Sequence, residues 1–291
     1  MLDHRLPRRG FLAAGAALAA GLVTAGCGVA NGNSSDHILE SEPNPADPRL
    51  VPASLPVTLT DGGTAAVVAK YAGHKPSQWG ADLSGVRTSF AAQGKQFALT
   101  LDACGGPGNN DIDENLLSLL IAQRIPATLF LNKRWIDANP ARAEQLAGNP
   151  LFELANHGVA HKPLSVNGRA AYEIKGTASV QEAVDEVWLN HERLTAVSGR
   201  APRFFRPGTA HYDDLGVSIV QDLGETPIGY TINADYGATA TAAQVQAGLL
   251  AAKPGGIALA HMHRPRSGTA AGLFGALPAL RDKGFQFTHL P

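Results

Sequence analysis

The chain has 291 residues, a length for one large domain or two small ones, and 44% of them are hydrophobic, enough for a sizeable core. This excludes a chain disordered throughout. A formal net charge of −1 without any basic run or stripe argues against a nucleic-acid partner. Two cysteines without a Cys-x-x-Cys pair cannot build a disulfide scaffold, and no long apolar stretch interrupts the body of the chain as a polytopic membrane protein would require.

The N-terminus reads as an address. Arg8 and Arg9 precede an apolar, small-residue run from Leu12 to Ala25, the pattern of a signal peptide, and the twin arginine points to the Tat route. The run ends in Thr24-Ala25-Gly26-Cys27, which resembles the lipobox of bacterial lipoproteins, with Thr24 where leucine is commoner. Residues 1–27 are therefore expected to be a lipoprotein signal. Cys27 would be lipidated and would anchor an exported bacterial protein to the membrane of the cell envelope. Residues 28–61, rich in Gly, Asn, Ser, Asp and Pro, read as a flexible tether, and 62–94 as a short irregular lead-in packed on the domain.

From Gln96 onward strands and helices alternate. Phe97–Leu101 is a buried-strand signal, and Ile112–Arg124 is helical, with Leu116, Leu119 and Leu120 on one side. A strand follows at Ala127–Leu131, a helix at Ala141–Ala147 and a strand at Leu151–Ala155. Ser179–Val197 is a long helix opened by a Ser179-x-x-Glu182 capping box, with Val184, Val187, His191 and Leu194 on its apolar face; His191 is read as a core residue. Phe204–Arg206 (strand), Leu215–Leu223 (helix), Ile228–Ile232 (strand), Ala243–Lys253 (helix), Ile257–Ala260 (strand), Leu273–Lys283 (helix) and Phe285–Leu290 (strand) complete the pattern. This predicts an α/β fold, a distorted (β/α) barrel with about seven parallel strands over residues 95–291. In such barrels chemistry gathers where strands end.

Polar residues do gather there. The first strand ends at Asp102, the third at Asn156-His157 with His161 beyond, the fourth at Arg206-Pro207-Gly208, and the sixth at His261 with His263 beyond; Asp235-Tyr236 follows the fifth. On a helical turn, His157 and His161 would face the same way and could chelate one divalent ion. Two histidines, a carboxylate and open positions for water make a hydrolytic metal arrangement.

Together these residues resemble the polysaccharide deacetylase family, the NodB-homology carbohydrate esterases of family 4. Its motifs correspond in order to Thr100-Leu101-Asp102-Ala103, His157-x-x-x-His161, Arg206-Pro207-Gly208-Thr209, Asp235-Tyr236 and Ile257-Ala258-Leu259-Ala260-His261. The resemblance implies metal-dependent removal of N-acetyl groups from a glycan such as peptidoglycan. It assigns Asp102 as general base, His261 as general acid, Arg206 as the group orienting Asp102, and Asp235 as a brace for Arg206 or His261. The metal would be zinc, with cobalt or nickel as alternatives, on His157, His161 and Asp102. Thr209 would offer an oxyanion N–H, Leu259 would line an acetyl pocket, and Tyr212 and Tyr236 would contact sugar rings.

The departures are specific. Ala103 stands where the family has its aspartate ligand, so Asp102, water or a neighbour such as Cys104, Asp111 or Asp113 must fill the gap. For Asp111 and Asp113 helix capping is the favoured reading, and for Cys104 a small buried residue. The third motif is incomplete. His263 to Gly268 would form a polar rim or a solvated loop, and Trp79, Trp135 and Trp188 are too dispersed for a carbohydrate platform. Two other readings stay open: a same-fold hydrolase of another amide bond, and a non-catalytic glycan-binding lipoprotein.

Overall fold

The structure is a computed structural model that describes residues 63–291. The expected signal peptide with Cys27, and the expected tether, lie outside the described residues.

In chain order the elements are α1 (Gly63–Tyr71), β1 (Trp79–Gly80), β2 (Gln96–Ala103), α2 (Glu114–Ala122), β3 (Ala127–Leu131), α3 (Lys133–Ala138), α4 (Pro140–Ala147), β4 (Phe152–Asn156), α5 (Val180–Ser198), β5 (Phe204–Phe205), β6 (Tyr212–Asp213), α6 (Asp214–Asp222), β7 (Thr226–Pro227), β8 (Ile232–Asn233), α7 (Ala242–Leu250), β9 (Ile257–His261), α8 (Thr269–Asp282) and β10 (Gln286–Thr288). One curled sheet runs β7-β5-β4-β3-β2-β9-β8, with β10 paired to the start of β2, and every pairing in it is parallel. This is the expected distorted (β/α) barrel.

Strand alternation sorts the side chains into two shells. Leu99, Leu101, Leu129, Leu131, Ala258 and Ala260 point outward and pack with Leu116 and Leu120 of α2 and Leu273 and Leu277 of α8. Ala98, Phe130, Ala155, Phe204 and Ile257 point inward and fill the barrel floor. The residues two and four places further along the inner face are then Thr100 and Asp102 on β2, and Leu259 and His261 on β9. The parallel register sets Asp102 directly beside His261.

The lead-in is more ordered than its sequence suggests. Its helix α1 buries Val67 and Tyr71 against the α5–α6 cluster, and Lys70 and Tyr71 both reach Asp222, at 2.6 and 2.7 Å. Residues 87–90 then fill the gap between β7 and the turn before β9. Arg87 N–H donates to Pro227 O at 2.8 Å, Gly229 N–H to Arg87 O at 2.9 Å, and Phe90 N–H to Gly255 O at 2.9 Å. The strand expected at Ile228–Ile232 is therefore corrected: the ladder pairs lie at its edges, in β7 before it and β8 at its end, while Ile228 and Gly229 face the 87–90 segment. A Cβ at Gly229 would lie 2.8 Å from Thr88 Cγ2, so only glycine lets the two segments meet. The capping of α5 also differs in detail. Ser179 Oγ accepts from Glu182 N–H at 3.1 Å, but the Glu182 carboxylate accepts from Ala178 N–H at 2.7 Å rather than from Ser179.

Behind β4 lies a buried polar network. Asn156 donates to Val187 O and Glu225 Oε1, both at 2.9 Å, and accepts from Asn190 at 2.8 Å. His191 Nδ1 meets Glu225 Oε1 at 2.8 Å, and its ring stacks on Trp188. Burial pushes the Glu225 carboxyl up to about 7 against the pull of His191. A carboxyl raised above its unfolded value near 4.5 stabilises the fold fully at low pH, and that contribution is lost as pH rises through about 7. Glu225→Gln is therefore expected to remove a pH-dependent stability term of about 3 kcal/mol between pH 5 and 8. Urea denaturation of the two proteins across that range checks it; an unchanged slope of stability against pH would refute it.

Candidate active site

The inner faces of β2, β4 and β9 open into a cavity of about 390 Å³ lined by Asp102, Cys104, His157, His161, Thr209, Leu259, His261 and His263, among others.

Asp102 sits on a buried cation. Arg206 Nη1 donates to Asp102 Oδ1 at 2.7 Å and to Thr100 Oγ1 at 2.9 Å, while Nη2 donates to Gly229 O at 2.9 Å. The guanidinium also covers the Phe130 ring, 4.2 Å from its centroid. Both residues are withdrawn from water, so the ion pair is little screened and the carboxylate is held in one orientation. Its other oxygen lies 3.7 Å from His157 Nε2.

His157 Nδ1 lies 2.7 Å from the Arg206 carbonyl oxygen. A carbonyl only accepts, so Nδ1 carries the proton and Nε2 turns its lone pair to the cavity. His161 comes beside it, with ring centroids 5.0 Å apart. The expected helical turn is not what joins them. The segment is a loop, bent by left-handed residues at Gly158 (φ 74°) and His161 (φ 59°). Buried Glu186 on α5 fixes it by accepting from Ala160 N–H at 2.9 Å and Lys162 N–H at 3.2 Å.

Gly208 completes the support. A Cβ there would lie 2.2 Å from His161 O and 2.9 Å from its ring. Gly208→Ala is expected to displace His161 and, if the histidine pair holds a divalent ion such as zinc, to weaken its binding on the order of 10–100-fold, with the barrel core intact. Zinc titration with a fluorescent competitor reads this; wild-type affinity in the variant would show that Gly208 does not set the ring.

Cys104, one of the residues offered by the sequence to fill the gap at Ala103, is buried beside the histidine pair. Its Sγ and one nitrogen each of His157 and His161 lie within 4.8 Å of one another, and Sγ is 3.9 Å from His157 Nε2. Burial alone would push the thiol up. The charge on His161 and hydrogen bonds to His157, His161 and His261 outweigh it and hold Cys104 well below an ordinary thiol. The signal was available: Cys104 is two residues from Asp102 and so shares its face. Asp102 is not a member of this three-residue group. Nor are the other candidates: Asp113 caps α2 through Leu116 N–H at 3.0 Å, and Asp111 offers its carbonyl to Trp135.

His261 is held by Asp235. Nδ1 lies 2.8 Å from Asp235 Oδ1, while Oδ2 accepts from His261 N–H at 2.7 Å and from Thr269 at 2.8 Å. Burial disfavours the imidazolium, but Asp235, helped by Cys104, overrides it and raises His261 well above the ordinary histidine range. Asp235 thus braces His261, not Arg206.

Thr209 lines the cavity in a left-handed conformation (φ 70°), with its buried hydroxyl unpartnered. Leu259 forms part of the wall and Tyr236 an exposed rim. Tyr212 is corrected: it is fully buried, with its hydroxyl donating to Phe205 O and Ile228 O at 3.0 and 3.1 Å, so it cannot meet a sugar. Tyr172 and Tyr230 line the cavity instead. Neither was marked by sequence: Tyr172 sits in a loop without periodicity, and Tyr230 in the stretch read as strand. Trp79 reaches the same side, tilted on His211, which in turn meets Tyr172 edge-on.

The strand ends of this α/β barrel thus hold a carboxylate on an arginine and an imidazole on a carboxylate, beside a histidine pair, an arrangement suited to hydrolysis. Residues 91–228 match the polysaccharide deacetylase family. Over 208 residues the chain is 26% identical to a chitooligosaccharide deacetylase of Sinorhizobium fredii, covering 66% of this chain and 89% of the relative. Among solved structures it is similar to a CE4 family pseudoenzyme from Bacillus anthracis (TM-score 0.59, 22% identity, 70% of this chain), spanning 66% of that neighbour. It is also similar to the peptidoglycan N-acetylglucosamine deacetylase Bc1960 (TM-score 0.58, 22% identity), covering 70% of this chain and 90% of that one. These likenesses agree with the resemblance to the polysaccharide deacetylase family that the sequence motifs carry.

Proposed function

We propose that the protein is a metal-dependent glycan N-deacetylase acting on an acetylated amino-sugar polymer of the cell envelope, with peptidoglycan as the leading substrate. The observation that carries this reading is the side-by-side placement of Asp102 and His261, each fixed by its own partner, Arg206 and Asp235. The donor chemistry fits a divalent cation, because His157 offers an inward Nε2 and His161 lies beside it. When bound, the ion supplies Lewis acidity toward water and the acetyl carbonyl.

The chain's own groups do the rest. Asp102 accepts a proton from the attacking water, and Arg206 keeps the carboxylate aimed. His261 holds its Nδ1 proton on Asp235 and directs Nε2 to the cavity, where it protonates the departing amine nitrogen. The Thr209 segment offers an N–H for the developing oxyanion, and Leu259 receives the acetyl methyl. Tyr236, Tyr172 and Tyr230 supply apolar ring faces for the glycan chain.

The N-terminal lipoprotein pattern supports the envelope assignment. No helix among the described residues is long and apolar enough to cross a membrane.

The test is acetate release from N-acetylglucosamine oligomers and from peptidoglycan by the purified protein. Release is expected, removed by chelator and restored by zinc. No release from any acetylated glycan by the metal-loaded protein would leave a non-catalytic glycan-binding lipoprotein.

A further inference from the structure

We propose that the Cys104 thiolate is the third protein ligand of the metal centre, joining His157 and His161 in place of the carboxylate that Ala103 does not supply. This rests on the metal-dependent reading above and extends it to this chain's own ligand set.

Ala103 offers no donor atom, and its methyl group is buried in the outer apolar shell with Leu131 and Trp135, facing away from the cavity. The next residue faces in. Cys104 is held there because the chain turns at once: Gly105 is left-handed (φ 66°), and a Cβ on it would lie 2.5 Å from the Trp135 backbone nitrogen.

The spacing suits one small cation. With Zn–S near 2.3 Å and Zn–N near 2.0–2.1 Å, a tetrahedral ion places sulfur and nitrogen about 3.6 Å apart. Cys104 Sγ and His157 Nε2 are already 3.9 Å apart, and all three donors fall within 4.8 Å of one another. From a separation of at most 4.8 Å, the donors draw together by no more than about 1.5 Å to reach tetrahedral spacing.

The assignment also frees Asp102. With Oδ1 committed to Arg206 and three other donors on the ion, its carboxylate remains a base, and the fourth metal position stays open to water. Thiolate and carboxylate carry the same charge, so the net charge of the site is that of a His-His-carboxylate set. The softer sulfur favours zinc over magnesium or manganese. On binding, the S–H bond gives way to an S–metal bond and the proton leaves to solvent.

Cobalt(II) replaces zinc and reports sulfur directly, through a thiolate-to-cobalt charge-transfer band in the near ultraviolet. Wild-type protein loaded with one cobalt per chain is expected to show this band. Cys104→Ser should lose the band and bind zinc at least about 100-fold more weakly. Cys104→Asp should lose the band but retain more of the affinity. Circular dichroism of the metal-free variants controls for folding, and the wild-type spectrum needs no variant at all. Stoichiometric cobalt without the band, or unchanged zinc affinity in a folded Cys104→Ser, would overturn the ligand assignment and leave the deacetylase reading standing. No cobalt or zinc bound by wild-type protein at excess metal would remove both.

Discussion

Asp102→Asn is expected to lower kcat for acetate release by about 10²–10⁴-fold, with KM and metal content unchanged. The asparagine carbonyl can still accept from Arg206, so the side chain stays in place. What it lacks is basicity: an amide oxygen does not take a proton from water at neutral pH. The change also removes the only negative charge hydrogen-bonded to the buried Arg206 guanidinium among the described residues. Breaking a buried pair costs about 3–5 kcal/mol when nothing replaces the partner, and the retained hydrogen bond keeps the penalty below that range. A lowered melting temperature should therefore accompany the kinetic defect without explaining it, since a folded fraction of normal KM would still turn over slowly. Steady-state kinetics on an N-acetylglucosamine oligomer, with melting temperature and bound metal measured on the same sample, separates the two. A kcat within tenfold of wild type would end the base role of Asp102.

His261→Ala should show a defect that depends on the leaving group. An amine leaves poorly unless protonated, so about 10²–10³-fold of kcat should be lost on an N-acetylated sugar. A phenolate leaves without help, so an aryl acetate should lose less than about tenfold. Equal losses on both substrates would show that His261 shapes the cavity rather than supplying a proton. Asp235→Asn makes the complementary test through pH. Burial alone would lower His261, and the Asp235 carboxylate is the chief group that raises it. With the carboxylate gone the acid form is lost at lower pH, so the basic limb of kcat/KM should move down the pH scale. A limb that stays in place would detach it from His261.

The barrel itself was legible because its strands are buried on both faces and read as continuous apolar runs. Ala127–Leu131 and Ile257–Ala260 stand out on that ground alone. The catalytic-type residues were legible for a related reason: a charged or polar side chain that ends such a run has nowhere to go but the rim. Asp102, His157, Arg206 and His261 are all of that kind. Three things escaped. The histidine loop was drawn as a helical turn because spacing of four suggests one, whereas its shape comes from Glu186, which lies 25 residues beyond His161 and is invisible to local patterning. Tyr212 was assigned to substrate by its neighbourhood in sequence, although its hydroxyl is consumed by two backbone carbonyls. Cys104 was named as one way to fill the gap at Ala103 but read by preference as a small buried residue, so its approach to the histidine pair was not anticipated.

The strap at residues 87–90 has a consequence for how the chain folds. It joins β7 to the turn before β9, and Arg87 also reaches Pro291 O at 2.7 Å, a contact spanning 204 residues. Contacts of such separation form only after a large loop-closure entropy has been met, and they mark slow-folding topologies. Closure of this barrel is therefore expected late in folding, after the last strands are made. The rim of the candidate site, where Gly229 meets Thr88 on one side and Arg206 on the other, is expected to assemble with that closure.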